Sequence, residues 1–161
     1  MPDTPAHPNA EIVPDGLGVG VSWVTPADFD TVAALFDEYR VHYGEPAAPA
    51  ETHAWLAEQI TTGRLSVAAA NGLGFVTTTI LPASLTLGTA WMIRDLFVLP
   101  RGRRRGVARA LVTHVIDAAR AAGARRVSLQ TEADNDPALT LYAAAGFRPV
   151  PGLAMLHLTL A

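Results

Sequence analysis

The sequence predicts a mixed α/β sandwich, and three observations carry that expectation. The apolar spacing switches repeatedly between the helical period of 3.6 and the strand period of 2. Asn71-Gly72 sits between two β-rich runs, a hairpin signal. Proline and glycine punctuate the chain at intervals that separate ten short elements in the order βααβββαβαβ. The length of 161 residues suits one domain.

The elements follow in order. Residues 1–17 carry four prolines and no periodic pattern, so they are expected to be a loose tail, with the domain covering 18–161. Val19 to Val24 is β-rich. Thr25 as N-cap and Pro26 as first helical residue then predict a helix to about His42. Gly44, Pro46 and Pro49 interrupt the chain before a second helix from about Ala50 to Thr62. Leu65 to Ala69 and Gly74 to Leu81 form the predicted hairpin, and a further strand covers Thr89 to Leu99, where Pro100 ends it. Helix resumes near Arg104, with Val107, Ala110, Leu111, His114, Val115 and Ala118 on one apolar face and Gly123 closing it. Val127 to Thr131 is a fifth strand. Asp136 is the expected cap of a short helix with Pro137 at its first position, Gly146 ends it, and Leu153 to Leu160 reads as a closing strand.

Composition narrows the chemistry. Half of the residues are apolar and 17% are charged, which fits a globular core. No apolar run is long enough for a membrane span, and the N-terminal residues lack the features of a signal peptide, so a cytoplasmic protein with no membrane partner is expected. Cysteine is absent, which excludes disulfides, thiolate metal sites and a cysteine nucleophile. The histidines show no metal-binding spacing, so no metal is expected, and no Gly-x-Ser-x-Gly occurs. Charge is unevenly spread. Nine of the twelve basic residues, all arginine, fall between Arg94 and Arg126 against only Asp95 and Asp117. That window is +7 in a chain of net charge -3, which suits one polyanionic ligand better than a nucleic-acid surface. The basic loop also lacks aromatic residues for stacking on bases, so no nucleic-acid partner is expected.

The segment Leu96 to Leu111 runs from a strand through a basic loop with glycines into a helix. Unpaired N–H groups at a helix start and the positive end of its dipole bind phosphate oxygens, while glycine lets the ligand approach the backbone. A solvated arginine loop is the plainer alternative. Within the segment, Arg103-x-x-Gly106-x-Ala108 resembles the Arg/Gln-x-x-Gly-x-Gly/Ala signature of the GNAT superfamily of acetyltransferases. Asn135, Leu141-Tyr142 and Gly146-Phe147 stand where that family carries cofactor-contacting and proton-donating groups. The stretches Glu38 to Pro46 and Arg94 to Val98 resemble a bacterial small-amine and polyamine branch.

The resemblance implies a central, mostly antiparallel sheet with splayed strands, flanked by helices. It also implies transfer of acetyl from acetyl-CoA to a primary amine, small or peptidic, by direct attack without an acyl-enzyme. Phosphate contacts fall to Arg103, Arg104, Arg105, Gly106, Val107, Ala108 and Arg109, and pantetheine pairing to Leu96, Phe97 and Val98. Asn135, Ala138 and Tyr142 complete the implied donor site. Tyr142 is the implied acid for the departing thiolate, with a core tyrosine as the other reading, and Val98 N–H the implied oxyanion donor. The glutamate that some relatives use as base is replaced by Met92. Asp95, Glu132 and water remain as bases, and an Asp95 merely paired with Arg94 stays open. Tyr39, His42 and Tyr43 either line the acceptor pocket or belong to the core. Family habit implies a homodimer, with Leu153 to Leu160 as a pairing edge. The alternatives to an enzyme are a non-catalytic acyl-CoA sensor on the same fold and, behind it, a nucleic-acid-binding module using Arg101 to Arg109.

Overall fold

The computed structural model describes residues 18–160, and the expectation of an N-terminal tail falls on residues outside this range. The chain divides into two compact units, residues 1–130 and 131–161. The first holds a five-stranded sheet in the order β1 to β5, built from β1 (Ser22–Trp23), β2 (Ser66–Ala70), β3 (Gly74–Ala83), β4 (Gly88–Val98) and β5 (Arg126–Ser128). It also holds helices α1 (Phe29–His42), α2 (Pro49–Thr61) and α3 (Val107–Ala121). The second unit contains α4 (Asp136–Ala144). The first three strand pairs are antiparallel and the last, β4 with β5, is parallel, so the expected mostly antiparallel α/β sheet is present.

The β2–β3 hairpin forms where the sequence marks it. Asn71 and Gly72 both take positive φ, +43° and +67°, at the centre of a turn closed by the Leu73 N–H donating to the Ala70 carbonyl at 2.7 Å, within a three-residue connection between paired Ala70 and Gly74. β3 and β4 pair from Gly74 opposite Val98 to Ala83 opposite Gly88. Gly74 permits this closeness, since a Cβ there would come within 2.5 Å of the Phe97 carbonyl oxygen. The pairing contains one irregularity: Thr78 opposes Ile93 and Thr77 opposes Asp95, leaving Arg94 as an extra residue in β4. β4 pairs β5 over Ala90 to Met92 alone. β5 ends at Ser128, opposite Met92, so it is shorter than the expected Val127 to Thr131.

One core cluster joins α1 and α2 to the sheet through Val32, Leu35, Phe36, Leu56, Val67, Phe75 and Phe97. α3 contacts β2, β3 and β4 and buries Val107, Ala110, Leu111, Val115 and Ala118, the face its periodicity predicts, together with Val112 and Ala119. His114 also belongs to that helix, its ring 5.1 Å from Trp23, and its Nε2 is buried without a hydrogen-bond partner among the described residues.

Three expectations are corrected. Thr25 does not cap α1; its hydroxyl and N–H both donate to Asp28, forming a turn that delays the helix to Phe29. Asn135, not Asp136, caps α4, accepting from the Ala138 N–H at 3.3 Å while Asp136 and Pro137 occupy the first turn. Leu153 to Leu160 is not a strand among the described residues; Leu153, Met155, Leu156, Leu158 and Leu160 are all exposed. Its apolar residues switch phase between Met155 and Leu156, so the strand period is not kept throughout, and a strand also needs a neighbour to pair with.

Candidate active site

Two features of the first unit meet along β4: an arginine-rich helix start beyond its C-terminal end, and a cavity beside its middle. The loop between β4 and α3 begins with a short 3₁₀ turn, Pro100–Gly102. Arg104 takes φ +59° and Gly106 φ +79°, so the backbone turns twice through the left-handed region before the helix begins. Gly106 occupies the cap position and no side chain caps α3, so the N–H groups of its first turn are left to other partners. Around them Arg101, Arg103, Arg104, Arg105 and Arg109 are exposed. None forms an ion pair among the described residues. Arg103 Nε donates to the Val98 carbonyl at 3.2 Å, tying the loop to the end of β4. Such a loop offers an anion backbone donors and positive charge together, which fits the phosphates of acetyl-CoA. Leu96, Phe97 and Val98 lie on the part of β4 that β5 does not cover, which leaves that strand edge available for an extended ligand.

The cavity has a volume of about 670 Å³ and is lined by residues of α1, α2, β3 and β4. Phe36, Tyr39 and Trp55 form its aromatic wall, and Arg40, Glu51, Arg64, Arg94 and Asp95 bring charge to it. Asp95 is held from two sides. Tyr39 donates its hydroxyl hydrogen to Oδ1 at 2.8 Å, and the Thr77 hydroxyl donates to Oδ2. The Asp95 N–H in turn donates to the Thr77 oxygen at 3.1 Å. Asp95 is therefore not a solvated partner of Arg94, as no ion pair joins the two.

Of the expected pocket residues, Tyr39 lines the cavity, whereas His42 and Tyr43 stand outside its lining and are exposed near the end of α1. Their rings stack edge to face on each other, and Tyr43 on Tyr39. Sequence reading missed Thr77, Thr79, Trp55 and the three arginines, because no local pattern marks residues that only the sheet brings together. Asp37 lies outside the cavity and is structural. Its Oδ1 accepts from the Thr52 hydroxyl, the Ala48 N–H and Arg40, tying α1 to α2. The Thr52 hydroxyl is the main cause holding its carboxyl below the usual range, against burial, with Ala48 N–H and Arg40 adding to the effect.

In the second unit, Ala138, Leu141, Tyr142 and Ala145 form the less exposed face of α4, as the helical spacing predicts. The Tyr142 ring packs edge to face on Phe147 at 5.8 Å. Asn135 spends its side-chain oxygen on the α4 cap and places its amide nitrogen 3.5 Å from Glu132. Glu132 is exposed, and its carboxyl is held below the usual range by its own backbone N–H first and by Asn135 next. No helix among the described residues is long and apolar enough to cross a membrane, and they hold no cluster of metal-binding side chains.

Comparison with known proteins identifies the family and the fold. An uncharacterized N-acetyltransferase, YhfO of Bacillus subtilis strain 168, is 28% identical over 130 residues, covering 78% of this chain and 87% of that protein. The crystal structure of a probable acetyltransferase superposes with a TM-score of 0.81 at 26% identity, over 88% of this chain and 97% of the other. An aminoglycoside acetyltransferase from an uncultured soil metagenomic sample, solved with sisomicin, shares the fold with a TM-score of 0.76 at 17% identity, over 89% and 97% of the two chains. The family model of the acetyltransferase (GNAT) family matches residues 30–147, from the second residue of α1 through Phe147 and so across both the arginine-rich loop and the cavity. The chain belongs to the GNAT family of acetyltransferases.

Proposed function

We propose that the protein transfers the acetyl group of acetyl-CoA to a primary amine by direct attack. The observation that carries this reading is the uncapped, arginine-flanked start of α3 with Gly106 in the left-handed region, where the family signature falls. Arg103 to Arg109 hold the pyrophosphate, chiefly through main-chain N–H groups, and the free edge of Leu96 to Val98 takes the pantetheine arm. Asn135 and Ala138 act from the start of α4, where the cap they share fixes the backbone.

The acceptor enters the cavity with its ammonium at Asp95. Once the proton leaves, the nitrogen lone pair forms the new C–N bond at the thioester carbon while the C–S bond breaks. Asp95 is the proton acceptor of choice, directly or through water. Tyr39 and Thr77 fix its position, and each carboxylate oxygen has a second lone pair to offer. Glu132 is the poorer base, because the hydrogen bonds that lower its pKa favour its unprotonated form. The Val98 N–H stabilises the developing oxyanion. Tyr142 returns a proton to the thiolate, so the products are the acetylated amine and CoA.

A panel of amines assayed for CoA release tests the reading. Turnover with at least one amine is expected. Tight acetyl-CoA binding with no turnover across the panel would favour a non-catalytic acyl-CoA sensor instead. The stretch Glu38 to Pro46, which resembles a polyamine branch, is a weak guide to the acceptor, since only Tyr39 and Arg40 of it line the cavity.

A further inference from the structure

The irregularity in β4 gives the cavity an unusual wall. Neighbouring side chains on a regular strand point to opposite faces of the sheet. With Arg94 inserted between Ile93 and Asp95, that alternation fails, and the two consecutive residues Arg94 and Asp95 both line the cavity. A fixed carboxylate and a guanidinium of adjacent residues thus serve one site. The guanidinium is uncommitted. Arg40 is held by Asp37, Thr52 and the Pro46 carbonyl, and Arg64 by Glu58. Arg94 has only the Met92 sulfur, at 3.6 Å, and no carboxylate partner among the described residues.

Arg40 and Arg64 are paired with Asp37 and Glu58, which leaves Arg94 as the arginine of the wall open to an anion, and a polycation would meet like charge there. An acceptor with one cationic and one anionic group meets complementary charge at both. Phe36, Tyr39 and Trp55 add an apolar wall, and the volume lies within the range of small-ligand sites.

We propose that the acceptor is an amino acid or a closely related amino-carboxylate with an apolar side chain. Its ammonium sits at Asp95, its carboxylate on the Arg94 guanidinium, and its side chain against Trp55 and Phe36. The proposal rests on the acetyltransferase reading for its chemistry, though not for its recognition. It adds to that reading what the enzyme selects.

The test pairs leucine with isoamylamine, phenylalanine with phenethylamine and tryptophan with tryptamine, so that each pair differs by the carboxylate. Binding is measured by calorimetry on the full chain saturated with CoA, and CoA release from acetyl-CoA is measured on the same pairs. At least one acid should bind about 10- to 100-fold more tightly than its amine, the range for a hydrogen-bonded charge pair. Arg94→Gln should abolish that preference, and Arg94→Lys should restore part of it, having the charge without the fork. Arg94 is exposed, so an unchanged Tm is the expected control. The proposal is overturned if no acid binds more tightly than its amine, or if the preference survives in Arg94→Gln. CoA release from the amines with no preference for the acids would sustain the transferase reading and overturn this one. A preference lost in Arg94→Gln but without CoA release from any compound would sustain the recognition and overturn the transferase.

Discussion

The Tyr39 hydroxyl on α1 and the Asp95 carboxylate on β4, separated by 56 residues in sequence, meet at 2.8 Å inside one cavity. This bond joins α1 to β4 across the cavity wall.

Tyr39→Phe removes that donor while keeping the ring that packs on Phe36, Phe75 and Phe97. The kcat/KM for the amine should fall about tenfold, the lower range for a hydrogen bond to a charged group. Affinity for acetyl-CoA should remain as in wild type. Steady-state kinetics beside calorimetric titration of acetyl-CoA checks both, and an equal loss in both would assign Tyr39 to general packing.

Gly106→Glu places a carboxylate at the uncapped start of α3 and a side chain on a backbone of φ +79°. Acetyl-CoA affinity should weaken by about 100-fold or more, as a charge-assisted site becomes a repulsive one. Gly106→Ala carries the strain without the charge and should lose less. Calorimetry on both variants, after melting curves show them folded, separates the two causes.

Tyr142→Phe should lower kcat by about 10²- to 10⁴-fold while leaving acetyl-CoA affinity near wild type, if the phenol acts on the leaving thiolate. A merely structural tyrosine would instead lose about 1 kcal/mol of stability with turnover nearly intact. Measuring Tm and kcat together distinguishes these outcomes, provided chemistry limits the rate.

His114 ties stability to pH. Burial holds its imidazole below the ordinary value of 6.5, with Asp117 acting weakly the other way. Between that ordinary value and the lower folded one, the unfolded chain binds a proton that the folded chain does not. Stability is therefore fully present above pH 6.5 and declines as pH falls toward the folded pKa. Urea unfolding between about pH 5 and 7 should show this decline, and His114→Gln should flatten it. The lowered carboxyls of Asp28, Asp37 and Glu132 act in a more acidic window, below their ordinary 3.8 to 4.5.

The parts legible in the sequence are those encoded in contiguous residues. The Asn71-Gly72 turn, the apolar face of α3 and the glycine-containing arginine loop that leads from β4 into α3 each announce themselves within a few residues, and the structure carries all three as local conformations. Helix starts differ where a neighbouring residue changes the cap: Thr25 gives its N–H and hydroxyl to Asp28 before α1, and Asn135 accepts from the Ala138 N–H before α4. The cavity was only partly legible. Tyr39 and Asp95 were both singled out, but nothing local tells that they touch, and Thr77 gave no signal at all. Arg94 reads as an outward strand residue because the period of 2 assumes regular pairing, and a one-residue irregularity is a property of two strands together. Leu153 to Leu160 shows the converse, a run rich in apolar residues that pairs with nothing among the described residues.

The extra residue in β4 also bears on how such an enzyme could change its acceptor. Thr78 opposite Ile93 and Thr77 opposite Asp95 are already consecutive pairs. Deleting position 94 would restore an unbroken ladder without turning any other side chain of the strand to the wrong face. Substitution in a packed sheet is constrained by the neighbours on both sides. Here, by contrast, a single codon lost would remove a charged group from the wall of the cavity, while Phe97 and Ile93 keep their places in the core. Chain length at this point is thus a means of altering the charge of the cavity wall while the register of the flanking pairs is kept.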